Sequence, residues 1–207
     1  YLERWALSSF DKIAVPIDTA IPAYDKVIRS SNQVEVIPQG CNIRRDYSKN
    51  FTGNTIPNFA YAGILYKGIR DPSTFLEALT KINTPFEFHF YTDVHNTHTM
   101  SILAPYLDRL YGKLFLHDKI PRDECIDRLS RMDFLVSFCN SSNIQAPSKL
   151  IDYTLSNRPF LEISHEQKTF SDFEHYLTGD YSNFKKPDIS RFDETAVANQ
   201  FINSVFS

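Results

Sequence analysis

The sequence predicts an α/β fold, an open and mostly parallel sheet covered by helices. Three observations carry that expectation. Short, continuously apolar segments such as "FAYAGIL" (59–65), "FEFHFYT" (86–92) and "DFLVSFC" (133–139) read as strands buried on both faces. Longer segments with apolar residues at helical spacing lie between them. Turn-forming residues separate the two kinds in steady alternation, which is the pattern of a parallel sheet with crossover helices.

Taken in order, residues 2–9 read as a helix with Leu2, Trp5 and Leu7 available for packing. "DKIAVPI" (11–17) reads as a short strand, and 18–30 as a helix capped by Asp18 or Thr19. "VEVIPQGCN" (34–42) is a strand that closes on a proline and a glycine, and the polar stretch 43–58 is a surface connection. Regular alternation follows: strand 59–65, helix 72–82, strand 86–92, a helix within 99–111, strand 113–118, helix 121–132 and strand 133–139. "APSKLIDYTLSNRPFLEI" (146–163) then opens a helix at Pro147, caps it with a left-handed Asn157 and leads through Pro159 into a strand. Two helical stretches, around 167–178 and 193–206, complete the chain, the second capped by Asp193. The expected main sheet runs from about residue 34 to 164.

At 207 residues and 42% hydrophobic, the chain can bury one core and part of a second. A net charge of −3 argues against a general nucleic-acid binder, which needs a basic face. Cys41, Cys125 and Cys139 are odd in number and show no CxxC spacing, so a disulfide scaffold or zinc site is not expected. No apolar run reaches the 18 or so residues of a membrane span, and no signal peptide is visible. A reducing, cytoplasmic setting fits. The chain opens on Tyr1 rather than methionine, as a piece of a longer protein would.

Open α/β sheets bind ligands outside the carboxyl ends of their strands. Three loops lie there. "AGILYKGIRDP" (62–72) brings Gly63, Lys67, Gly68 and Arg70 toward a helix start, where glycines let backbone approach an anion and cations neutralise it. It matches neither a Walker loop nor GxGxxG, and the plain alternative is a solvated turn. "LHDKIPRDE" (116–124) puts His117 and Asp118 at a strand end, again with a simple turn as the alternative. The third, 138–152, is rich in hydrogen-bonding groups over Asn140–Asn143 and then presents Ser148, Lys149 and Asp152. A carboxylate there suits a vicinal diol, as on a ribose. The alternative is an exposed ion pair at i, i+3. "HNTH" (95–98) offers two histidines without a third ligand and reads as surface.

Together these segments resemble the C-terminal domain of group 1 (family 4) glycosyltransferases. "VEVIPQGCN" is similar to the family's VxVIPNGVD, and "FAYAGILYKGIRDPSTFLEAL" to its first C-domain strand, glycine turn and helix. "LFLHDKIPRDECIDRLSRMDFLVS" resembles xFxGxVPxxExxxxLxxADxxV, and "APSKLIDYTLSNRPFLEI" resembles PxKLxEYLAxGxPVxx. The likeness covers 34–163 well and 1–33 loosely. Asp152 is shorter than the family's Glu, Ile144 falls where the first Glu of E-x7-E belongs, and His117 and Asn157 replace glycines.

The resemblance implies the C-terminal half of a GT-B fold: 1–33 as the end of the N-terminal domain or a flank, and 34–207 as a Rossmann-like nucleotide-sugar-binding domain. It implies sugar transfer from a nucleotide-sugar to a glycan or lipid-linked acceptor, in polysaccharide or glycoconjugate biosynthesis. Gly63, Lys67 and Arg70 would hold the diphosphate with Ser148 and Lys149 beside it, Asp152 would bind the ribose, and the segment from His117 would pass the base. No metal or other cofactor is expected, since cations serve the diphosphate and no DxD motif is present. The implied partners are the nucleotide-sugar, an N-terminal Rossmann-like domain and the acceptor, without nucleic acid. The setting would be cytoplasmic, peripheral at the inner membrane face where the acceptor is lipid-linked. Two other readings stay open: a non-catalytic nucleotide- or sugar-nucleotide-binding module, which the missing first Glu suggests, and an interaction domain without a ligand.

Overall fold

The computed structural model describes residues 2–26, 30–45, 47, 51–138, 148–164 and 166–206. Among these, the chain forms two compact units, one made of residues up to Arg45 and from Asp188 onward, the other of the residues between. The first unit opens with helix α1 (Leu2–Leu7) and two three-residue strands, β1 (Ile13–Val15) and β2 (Val34–Val36), which pair in parallel with Ile13 beside Val34. Gln33 ties them to the helix end, donating from Nε2 to the carbonyls of Leu7 and Phe10. The strand at 34–36 therefore lies in a separate two-stranded sheet, not in the main one as expected. The helix expected over 18–30 is replaced, in its described part, by a 3-10 helix at Asp18–Ala23 that contains Pro22. Proline has no N–H to return to the carbonyl four residues earlier and its ring crowds that carbonyl, which disfavours an α-helix there.

The second unit contains the main sheet. Strands β3 (Asn58–Ala62), β4 (Glu87–Tyr91), β5 (Leu114–His117), β6 (Phe134–Phe138) and β7 (Phe160–Ile163) are all parallel, in the order β5-β4-β3-β6-β7. Between them run α2 (Ser73–Leu79), α3 (Thr97–Leu107), α4 (Arg122–Leu129) and α5 (Ser148–Leu155), and α6 (Ser171–Leu177) follows. Each lies within a few residues of its expected position. The expected open, mostly parallel sheet covered by helices is the observed one.

Side-chain alternation along β3 explains the two layers. Phe59 and Tyr61 enter a core shared with Phe75 and Leu79 of α2, Leu103 of α3 and Phe173 of α6. Ala60 points the other way, among Leu129 of α4 and Tyr153 of α5. The first layer is built from aromatics: the Phe59 ring stacks on Phe88 at 4.4 Å and on Phe134 at 4.8 Å between centroids. Such pairs add to the burial of about 25 cal/mol per Å² of apolar surface. Side chains cap the starts of α2 and α3. Asp71 accepts from the Ser73 N–H before α2, and Asn96 from the N–H groups of His98 and Thr99 in α3. Asn157 takes φ 56°, the left-handed cap expected after α5.

The tail returns to the first unit with α7 (Glu194–Phe206). Asp193 caps it, accepting from the N–H groups of Thr195 and Ala196, and Cys41 exchanges backbone hydrogen bonds with Phe192 and Glu194.

Candidate functional site

The sheet order places the site. The chain reaches edge strand β5, then crosses the sheet to β6 on the far side of β3, so helices leave β3 and β6 toward opposite faces. In open α/β sheets such a divergence forms the ligand crevice, at the strand C-termini. The ladder between β3 and β6 is registered only at Phe59–Phe134 and Ala60–Leu135. Where the next rung would join Ala62 to Val136, the phenol of Tyr153 stands instead. Its oxygen accepts from the Ala62 N–H at 3.0 Å and its O–H donates to the Val136 carbonyl at 2.9 Å. Burial raises the Tyr153 pKa far above its ordinary value and keeps the phenol protonated.

Beyond the wedge, β3 turns at Gly63, whose φ of 143° suits glycine. Its N–H is bonded to the Tyr91 carbonyl at 2.9 Å, so it is not an anion donor. What the glycine supplies is space. A Cβ there would overlap Lys149 Cε and stand 2.5 Å from Nζ. Lys149, in the first turn of α5, lies across the turn with its Nζ 3.8 Å from the centroid of the Tyr61 ring. Tyr61 in turn donates to the Ile64 carbonyl and fixes the start of the next loop.

That loop folds back on itself. Tyr66 and Arg70 form an isolated antiparallel bridge around Gly68, and Arg70 approaches the Tyr66 ring at 6.0 Å. The positive charge of Arg70 also acts on the Tyr61 phenol. Gly63, Lys149, Tyr61 and Arg70 therefore gather at one place, with the exposed Lys67 on the same loop. Ser148 is the first residue of α5. The stretch 139–147, with Asn140–Asn143 and Ile144, lies outside the described residues.

Asp152 follows Lys149 by one turn and meets Arg122, the first residue of α4. The guanidinium reaches Asp152 Oδ1 twice, from Nε at 2.8 Å and from Nη2 at 2.6 Å. Burial raises the Asp152 carboxyl above its ordinary pKa, and Arg122 pulls it back part of the way. The nearby Cys125 thiol is pushed up to about 11, chiefly by burial and then by Asp152, which disfavours the thiolate.

His117 sits at the end of β5, two strands from the crevice. Its ring stacks on Tyr91 at 4.7 Å and on His89 at 5.2 Å, and its Nε2 is 2.9 Å from His89 Nδ1. Burial, then the charges of His89 and Arg128, lower its pKa; burial also lowers that of His89, against the pull of Glu87. Both folded values thus lie below the unfolded value of about 6.5. The neutral pair contributes stability in full above that pH, and the contribution is lost as pH falls through the depressed folded values. The melting temperature should drop between about pH 7 and pH 5, and His117→Gln should flatten that drop. An unchanged slope in the variant would sink the assignment.

The loops after β4 and β5 are tied together by Lys119 to Asp93 at 2.8 Å and His95 to Asp118 at 3.3 Å. His95 and His98 are both exposed. Among the described residues, no group of three His, Cys, Asp or Glu could hold a metal ion, and no helix is long and apolar enough to cross a membrane. Tyr61, Arg122 and Tyr153 were not singled out by sequence reasoning as site residues. In sequence Tyr153 is one more apolar position of the helix that opens at Pro147, and nothing in the spacing links Arg122 to Asp152.

No protein-family model matches the sequence, and no curated protein is significantly similar to it. Solved structures are. The chain is similar to a glycosyltransferase from Rickettsia africae ESF-5, with a TM-score of 0.68 and 10% identity over 97% of this chain and 65% of that one. It is similar to the lipopolysaccharide outer core galactosyltransferase WaaB, with a TM-score of 0.65 and 14% identity over 95% of this chain and 62% of that one. It is also similar to Anabaena Alr3699/HepE, solved with UDP-glucose, with a TM-score of 0.65 and 9% identity over 96% and 65%. The likeness is one of fold. The chain has the open α/β architecture of a GT-B-like C-terminal domain and spans less than two thirds of the length of each of these three.

Proposed function

We propose that this chain is the donor-binding part of a glycosyltransferase of the group 1 (family 4) type, moving a sugar from a nucleotide-sugar to a glycan or lipid-linked acceptor. The observation that carries the reading is the seat of Lys149 across Gly63 at the switch-point crevice. It puts a cation beside the turn that also bears Lys67 and Arg70, where an α/β sheet takes its ligand. The fold likeness to several glycosyltransferases supports it.

On this reading Lys149, Arg70 and Lys67 face the diphosphate. Negative charge grows on that group as the bond to the sugar breaks, so fixed cations act in the transition state more than in the ground state. These cations carry the charge that a metal would otherwise neutralise. Asp152 accepts from the ribose hydroxyls, and the segment from His117 to Ile120 lies beside the base. The acceptor is held by the N-terminal half of the whole enzyme, at the inner membrane face where it is lipid-linked.

The test is calorimetric titration of the chain with UDP, GDP, ADP and UDP-glucose. One nucleoside diphosphate should bind, and Arg70→Ala or Lys149→Ala should each weaken it by about 1–3 kcal/mol, the scale of a charge-assisted hydrogen bond. Absence of binding by the unmutated chain removes the reading. A second reading, a binding module without transfer, is favoured by Ile144 at the place of a catalytic-motif Glu. Sugar transfer or release by the full-length protein decides between the two.

A further inference from the structure

Asp152 is a half-buried carboxylate on α5, and α4 sends a single guanidinium to it across the helix pair. Exposed ion pairs of this kind contribute little to stability. The geometry here does something else. Both contacts fall on the same oxygen: Arg122 Nε donates to Oδ1 at 2.8 Å, and Nη2 makes an ion-pair contact with it at 2.6 Å. A carboxylate held through one oxygen is hindered from turning about its Cβ–Cγ bond, which restricts the direction of Oδ2 before any ligand arrives. Arg122 opens α4, and Asp152 lies one turn after Lys149 on α5, the helix that follows β6.

We infer that Arg122 is a positioning residue for the proposed donor site, holding Asp152 so that its second oxygen meets the vicinal diol of the donor ribose. This inference rests on the function proposed above and adds to it a residue that the family resemblance does not assign. The chemistry requires such a partner. To accept from two hydroxyls, Asp152 must be ionised and rigid, and burial works against the first of these. Arg122 supplies a charge that favours the ionised form and a hydrogen bond that holds one carboxylate oxygen. A preorganised acceptor loses less freedom on binding. Lys149, Lys67 and Arg70 bear on the phosphates, so Arg122 is separable from them by its effect on the sugar alone.

The experiment compares UDP, GDP and ADP with their 2′,3′-dideoxy counterparts on the whole chain, for the unmutated protein, Arg122→Ala and Arg122→Lys. The unmutated protein should prefer the ribonucleotide. Arg122→Ala should lose about tenfold in affinity for it while its dideoxy affinity stays within about twofold. Arg122→Lys should recover part of the loss, and in Arg122→Ala the acid limb of ribonucleotide binding should move to higher pH. Melting temperatures of the variants identify any that fail to fold; Asp152→Asn, which keeps the shape and removes the charge, then replaces them and should erase the same preference. An equal fall for both nucleotide forms would place Arg122 on the phosphates and overturn the inference. No change in either would reduce the pair to a surface contact. If the unmutated chain binds no nucleoside diphosphate, the underlying reading fails, and this inference with it.

Discussion

Replacing Gly63 by alanine is expected to weaken the proposed nucleoside diphosphate binding at least as much as Lys149→Ala and to lower stability. Two effects combine. The backbone there has φ 143°, where an L side chain is strained by about 1–3 kcal/mol. The new Cβ would also occupy the place of Lys149 Cε and come within 2.5 Å of its Nζ. The end of a lysine moves easily, so the protein should still fold. It can do so only by expelling the ammonium from its seat on Tyr61 and from the crevice. The predicted signature is therefore a modest fall in melting temperature with a disproportionate loss of binding, at least as large as in Lys149→Ala. Calorimetry beside thermal denaturation reads both. Binding retained within about twofold would show that Lys149 has no part in holding the ligand.

That prediction uses a contact that the sequence names only by its ends. The main sheet was legible because its strands are continuous apolar runs, and no helix of a mixed surface could be written as "FEFHFY". The caps at Asp193 and Asn157 were legible because they are local, each settled within a few residues. The helix expected over 18–30 rested on its cap residues Asp18 and Thr19, which mark a helix start but not its kind; the described part is a 3-10 helix in which Pro22 removes a donor. The strand at 34–36 was recognised but given to the wrong sheet, since three residues carry no information about their partner. In the site, Gly63, Lys149 and Asp152 stood out by type and place, whereas their mutual geometry is tertiary. Gly63 looked like an anion cradle, yet its N–H is taken by Tyr91 and its contribution is room for a side chain. Arg122 lies 30 residues from Asp152 and looked like the ordinary start of a helix. Pairing across that distance depends on how two crossover helices lie side by side, which no period in the sequence encodes.

Tyr153 is the clearest case of a residue whose role only the fold discloses, and removing its hydroxyl should have the largest effect on stability. The side chain is 1% exposed. Its phenol serves two backbone groups that would otherwise have paired with each other, the Ala62 N–H and the Val136 carbonyl. In Tyr153→Phe the ring remains as a wedge between β3 and β6, so the direct rung cannot close. Each stranded group then bears a desolvation penalty of about 1–3 kcal/mol, and with one hydroxyl lost between them we expect about 2–4 kcal/mol in total. Urea denaturation should show a lower midpoint with an unchanged slope, since the surface exposed on unfolding is the same. The effect on ligand binding should be smaller, because the ring still holds the strand ends apart and Lys149 keeps its place. A loss below about 1 kcal/mol would mean that the two strands relax to pair directly, and that the crevice is kept open by something other than this side chain.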